Sequence, residues 1–346
     1  MNETGRSEIA DEPPWRFSDF FLRWETILFG LLVAVFVGDA CLSPYFLDID
    51  NLSDATSNFS EKAIIALGMA LLILVREIDL SVAAIIALCS LAMGLAAQAG
   101  AGPIPLVLIG LIVGAVCGSF NGFLVARIEL PSIVVTIGTM SLFRGIAQVA
   151  LGDQAISEYP PGFQTLGQDY FIKWPPLHYS FSLFLILAIV FALTLHRTAL
   201  GRKLYAIGAN PVAARFSGIP VERIKFGLFV VTGLLSGVAA VLLTARVGST
   251  RPNIALGWEL EVVTMVILGG VSIAGGSGTI PGVVIAVFVL GLVTFGLSLI
   301  NVPGIVISVI LGFLLIASIT LPILARKIMA SLQSERGASI RAETRH

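Results

Sequence analysis

The feature that most restricts this chain is the recurrence of long apolar runs. Runs of roughly 17–25 residues follow one another from about Ile27 to about Thr320, and each can cross a hydrocarbon layer of about 30 Å. Of 346 residues, 56% are hydrophobic and only 12% are charged. A soluble domain is nearer a quarter charged. No water-soluble core needs this much apolar surface, so the chain reads as an all-α polytopic membrane protein. A net charge of −1 argues against a nucleic-acid partner and leaves membrane lipid as the surrounding medium.

Ten spans are expected, at 26–44, 61–77, 80–99, 103–126, 131–151, 179–196, 226–245, 257–273, 281–300 and 304–324. The eighth is short and runs into glycines. The second and third almost touch. Basic side chains mark the cytoplasmic side. With the N-terminus inside, 16 of the 21 basic residues fall on inner segments, the exceptions being Lys62, Arg144, Lys173, Arg246 and Arg251. The C-terminus is then also cytoplasmic. This divides the chain into a cytoplasmic N-terminal segment (1–25), a transmembrane domain (26–325) and a cytoplasmic tail (326–346). No apolar h-region follows a basic start within 1–25, so the first run reads as an uncleaved span. The largest outer loop is 152–178; the largest inner loop is 197–225, basic and punctuated by glycine.

Residues 128–137 (IELPSIVVTI) align without gaps on 300–309 (INVPGIVISV), an offset of 172 that also carries Gly110 onto Gly282. The offset moves spans 4–5 onto spans 9–10. A shift of five spans reverses direction, so the repeat implies two five-helix halves inserted in opposite senses, an arrangement that places a pathway where the halves meet.

Chemistry-bearing residues are sparse. Cys41, Cys89 and Cys117 lie in apolar runs and read as small buried hydrophobes. His178, His196 and His346 are far apart and form no metal set. Among polar residues inside spans, Ser236, Thr264, Thr294 and Ser298 need only a backbone partner, as do Thr139 and Ser141. Asn121 and Arg144 cost more to bury and are better pathway residues, with Thr136 beside them. Arg76, Glu77 and Asp79 crowd the short link VREIDLS. Asp79 and Ser81 suit the N-terminus of the next helix, and Arg76 suits the end of the preceding one. Arg76 is also expected to pair with Glu77 or Asp79. Glu259 and Glu261 open the eighth span near the outer face. The glycine-rich GGVSIAGGSGTIPG (269–282) lacks the lysine of a phosphate-binding loop, so it reads as close helix packing or a broken helix.

The inner loop holds Gly208, Asn210 and Pro211, then a short helix from about Val212 to Phe216 that stops at Gly218, a shape suited to docking a partner. The run LGRKLYAIGANPVAARFSGIPVERIK resembles the coupling region of permease subunits of bacterial ABC sugar importers of the ribose/xylose/rhamnose type. IDLSVAAIIAL (78–88), NGFLVARIELPSIVVTIGTMSLFRGIA (121–147) and the glycine-rich stretch 259–303 resemble the same family, which covers about 40–325. The resemblance implies a transport subunit rather than an enzyme, in the bacterial inner membrane. It binds no cofactor of its own. ATP is hydrolysed by separate ATP-binding subunits, sugar arrives from a periplasmic sugar-binding protein, and a second copy or a homologous permease completes the pair. It implies coupling residues Asn210, Ala213, Ala214, Gly218 and Ile219, and a signature or pathway set of Glu77, Asp79, Ser81, Asn121, Thr136 and Arg144. The rhamnose branch looks nearest, with autoinducer-2, ribose and xylose permeases on the same scaffold. Arg76 stands where the family usually has glycine. An ion-coupled transporter is the rival. It would need an unpaired carboxylate buried mid-span, whereas the acidic residues near apolar runs (77, 79, 129, 259 and 261) are expected at span ends.

Overall fold

A computed structural model of the chain describes residues 24–318 and Thr320. The elements run α1 (Trp24–Leu42), α2 (Ile49–Leu74), α3 (Val82–Gln98), α4 (Pro103–Ala126), α5 (Ser132–Leu151), α6 (Pro161–Gln168), β1 (Tyr170–Lys173), β2 (Pro176–His178), α7 (Tyr179–Arg197), α8 (Ala199–Ala209), α9 (Pro211–Phe216), α10 (Val221–Val247), α11 (Trp258–Leu268), α12 (Ile280–Leu299) and α13 (Gly304–Ser318). Seven of them (α1, α2, α4, α5, α7, α10 and α12) are long and apolar enough to cross a membrane. The expected tails 1–25 and 326–346 lie outside the described residues, apart from Trp24 and Glu25 at the start of α1.

Local chemistry moved several boundaries. The second expected span starts twelve residues early, at Ile49, because Asp48 caps the helix by accepting the Asp50 N–H at 2.9 Å. The eighth is corrected more severely. Expected over 257–273, it is helical only for the 11 residues Trp258–Leu268, a rise of about 16 Å that covers half a bilayer. Gly269 and Gly270 end it, and the chain continues without helix to Ile280. The outer loop 152–178 is not featureless: it folds into α6 and a small antiparallel hairpin.

The core forms around α2, buried almost continuously from Ala63 to Val75, and α10, which packs on α2, α3, α4 and α6. The closest approach is α4 on α10. Gly110, Gly114 and Gly118 recur every four residues on one face of α4 and meet Gly233 and Gly237 of α10. A methyl group at Gly114, Gly118 or Gly233 would strike the partner backbone. Helices in lipid gain no hydrophobic free energy from meeting one another. Small residues therefore supply the close van der Waals contact that holds them together. The opposite face of α4 exposes Ile104, Leu108, Ile112, Val116 and Phe120, an apolar stripe at the same spacing that suits lipid chains.

The repeat is written in the backbone. An offset of 172 carries Ile49, the start of α2, onto Val221, the start of α10, and Ser132 of α5 onto Gly304 of α13. It also carries Arg76 (φ 69°) onto Gly248 (φ 63°) and Glu129 (φ 61°) onto Asn301 (φ 60°). Each half thus breaks its second helix with a left-handed residue at the same position. Packing repeats too: α10 on α4 is matched by α2 on α12, and α10 on α3 by α2 on α11.

Candidate functional site

Residues 75–81 leave α2 and return as α3 through a buried link. Leu74 ends the helix, and Arg76 takes a left-handed conformation that favours glycine. Its guanidinium turns away from both neighbouring carboxylates. Nε donates to Gly208 O at 2.7 Å and Nη2 to Ala209 O at 2.6 Å, at the carbonyl end of α8. The expected pairing of Arg76 with Glu77 or Asp79 is therefore replaced. Helix-end carbonyls lack intrahelical donors and attract a cation. Glu77 pairs instead with Lys225, in the first turns of α10.

Asp79 is fully buried. Its Oδ1 accepts the Ser81 N–H at 2.9 Å and the Ser81 hydroxyl at 2.6 Å, and Asn121 Nδ2 donates to Ser81 Oγ at 2.8 Å. The backbone contact is an Asx turn, and Ser81 makes no side-chain cap bond, so the expected helix cap is a turn instead. Thr136 joins from α5: its hydroxyl donates to Ser132 O at 2.8 Å and lies 3.4 Å from Ile78 O, while Ser132 Oγ accepts the Ile78 N–H. Asp79, Ser81, Asn121 and Thr136 are thus brought together across three helices. Arg144 is held elsewhere. It donates to Pro252 O, Ile254 O and Ala83 O at 2.7–3.1 Å, tying the α10–α11 link, which is the repeat partner of 75–81, to the start of α3.

Burying this network makes its completeness matter. Asp79→Leu leaves the Ser81 N–H and hydroxyl without their acceptor, at a cost of about 1–3 kcal/mol for each stranded group. Asp79→Asn retains an acceptor and costs less. Thermal melts of the detergent-solubilised variants order them wild type, Asn, Leu; equal melting would remove the network from the fold's stabilising interactions.

The other cluster is the inner loop. Asn210 caps α9, its Oδ1 accepting from Val212 N at 3.1 Å and Ala213 N at 3.0 Å, with Pro211 at the first helical position. The far end closes in a Schellman motif: Ile219 N donates to Ala214 O, Gly218 N donates to Arg215 O, and Gly218 has φ 81°. Ala214 faces inward at 4% exposure and Ile219 is half-buried, so both anchor the helix rather than present a surface. Ala213 and Gly218 are exposed. The side chains that stand out are Val212 (63% exposed) and Phe216 (88%), one turn apart, which sequence reading passed over. A full turn of exposed apolar residues at i and i+4 on a short helix was the signal available. Arg215 braces α9 through Glu222 at 2.5 Å and Glu129 at 3.2 Å.

The glycine-rich loop lies behind α9. Gly276 N donates to Leu74 O at 2.9 Å, and the Tyr205 hydroxyl of α8 donates to Gly278 O at 2.7 Å. Burial pushes the Tyr205 phenol above its ordinary range. Gly208 sits so close to Gly276 that a side chain would not fit. Close packing is what the glycines serve. The ends of α2 and α8 and this loop are fastened together immediately before the α9 cap.

Buried carboxylates also need revision. Asp39 in α1 and Glu61 in α2 are both buried inside helices, where none was expected. Glu61 is neutralised by Arg246 at 2.7 Å. No group of three or more His, Cys, Asp or Glu side chains among the described residues could hold a metal.

The family model described as branched-chain amino acid transport system / permease component matches residues 51–319. The Autoinducer 2 import system permease proteins LsrD of Escherichia coli (strain K12) and Shigella flexneri are each 38% identical over 301 residues, covering 85% of this chain and 90% of theirs. No solved structure matches.

Proposed function

The chain belongs to the branched-chain-type transport permease family, as an ABC sugar-type permease of the bacterial inner membrane, and from that premise we propose that it imports a small neutral sugar-like compound, paired with a second permease, on two ATP-binding subunits and opposite a periplasmic binding protein. The observation that carries this reading is α9. It is capped at both ends, anchored by Ala214 and Ile219, and presents Val212 and Phe216 to a partner. A residue pair this apolar on a basic cytoplasmic loop fits a groove in an ATPase subunit.

Movement of α9 reaches the membrane through short, stiff links. Asn210 follows directly on α8, whose last carbonyls hold Arg76. Arg76 sits at the break before the Asp79 network. With the N- and C-termini inside and the two halves inverted, ATP-driven closure of the partners rocks the halves about this seam and exposes the pathway to alternate sides. The chain supplies no nucleotide chemistry in this reading.

Rhamnose is the cargo that the sequence points to. The 38% identity to autoinducer-2 permeases supports a second reading, with autoinducer-2 as cargo. A ligand screen of the partner binding protein separates the two: tight binding of a charged amino acid instead would overturn both. Ion coupling is disfavoured by family membership; Glu61 has its Arg246 partner, and Asp39 in α1 is the buried carboxylate that this rival would have to use.

Arg76→Gly relieves a left-handed non-glycine conformation but removes both bonds to α8. The expected result is a melting point somewhat below wild type, since two charge-assisted bonds at about 1.5 kcal/mol or more each outweigh a backbone relief of about 1 kcal/mol, with fewer sugar molecules carried per ATP in reconstituted vesicles. Unaltered stoichiometry would free Arg76 from any part in coupling.

A further inference from the structure

We propose that the cavity at the end of the molecule opposite α9 is a subsite for a neutral polyhydroxylated ligand, entered before translocation; this deepens the import reading and rests on it. The cavity has a volume of about 440 Å³, within the range of roughly 300–1,000 Å³ typical of small-molecule sites. It lies among the first half of α2, the last turn of α10, α11, the second half of α12 and Leu311 of α13. Arg246 closes α10, whose other end begins beside α9, so some 40 Å of helix separates the two regions.

Its lining is unusual for a membrane interior. Asn58 and Lys62 share one face of α2, and Trp258 and Glu261 share one face of α11. Lys62 Nζ donates to Glu261 Oε2 at 2.5 Å and stands 5.0 Å from the centre of the Trp258 ring. Arg246 donates from Nε to Glu61 Oε1 at 2.7 Å and from Nη1 to Asn58 Oδ1 at 2.6 Å. Glu61 is completely buried behind Arg246 and does not itself line the cavity. Charged side chains gathered around a cavity between spans are candidates for a functional site.

The chemistry selects the ligand class. Two cations and two carboxylates cancel, so an anion or a cation gains no net attraction. Ammonium, guanidinium and amide donors alternate with carboxylate acceptors over a few ångströms, the pattern that hydroxyl groups satisfy as donors and acceptors at once. Trp258 adds an apolar ring face for the C–H face of a sugar.

The test uses the full-length chain in lipid nanodiscs without partners. Tryptophan fluorescence is titrated with D-ribose and L-rhamnose, and with ribose 5-phosphate as the charged comparator. The expected result is a saturable response to the neutral sugars that Trp258→Phe removes and that Asn58→Leu and Glu261→Gln each weaken by roughly tenfold. Gly138→Ala, in open space on α5, leaves it unchanged. Variants are compared only where their thermal melts match wild type; Glu261→Gln keeps the side-chain size for that reason. No saturable response, a response indifferent to Asn58→Leu and Glu261→Gln, or an equal response to ribose 5-phosphate overturns the subsite. Partner-driven uptake is measured separately. Uptake without any titration overturns the subsite alone, whereas a titration without uptake overturns the import reading and leaves the subsite standing.

Discussion

Phe216→Asp reduces ATP-driven sugar uptake by about tenfold or more in vesicles containing the permease and its ATP-binding partners, while the variant melts as wild type does. Phe216 is 88% exposed and makes no contribution to the core, so its replacement costs the permease little. In a partner groove the same change buries a charge. Truncating or charging a central apolar anchor costs at least about 2 kcal/mol, which is roughly thirtyfold in association. Val212→Asp has a smaller effect, because less of Val212 is exposed. Gly218→Glu acts by another route: it forces a bulky residue into a left-handed conformation, opens the Schellman turn and tilts α9. ATPase activity should persist in all three variants without driving transport. Full uptake by Phe216→Asp would remove α9 from the coupling path.

Gly233→Val prevents accumulation of folded protein. The added Cβ alone would lie 2.4–2.8 Å from backbone atoms of Gly114 and Gly118, before its two methyl groups are counted, and backbone yields less readily than a side chain. Overpacking of this kind costs about 3 kcal/mol or more. Gly233→Ala is milder but still destabilising. Gly138→Val is the control: a glycine in a neighbouring helix with open space where its side chain would go. Solubilised yield and thermal melting therefore separate the two glycines by their neighbours rather than by helix propensity, which is the same for both. Equal melting of Gly233→Val and Gly138→Val would show that α4 and α10 do not depend on close approach.

Much of the architecture was legible. Apolar runs placed α1, α4, α5, α7 and α12 nearly to the residue, because a span must be long, apolar and uncharged whatever surrounds it. Asn210, Pro211 and Gly218 marked the limits of α9, since capping is a local matter of backbone hydrogen bonds. The repeat was visible in ten residues around Pro131 and Pro303, and the backbone extends it to the starts of α2 and α10. What remained hidden depended on partners distant in sequence. Asp79, Ser81 and Asn121 were each singled out, but nothing local says that Asn121 donates to Ser81 while Arg144 goes elsewhere. Arg76 was paired with the carboxylates next to it because proximity in sequence was the only guide. Lys62, Arg246 and Glu261 were each noted, but their assembly with Glu61 was missed, since the members come from three helices and look like ordinary charges at span ends.

By itself the sequence determined that this chain lives in a bilayer, roughly where it crosses, that two halves repeat, and that a capped helix stands on a basic loop. Those properties follow from composition, periodicity and capping, which act over a few residues. Only the tertiary structure decided which helices lie close enough for glycine to be obligatory, where buried charges such as Glu61 and Glu77 find their partners, and which face of α9 is left exposed. Those outcomes depend on atoms brought together from residues some 200 positions apart, as Lys62 and Glu261 are. No local rule carries that information.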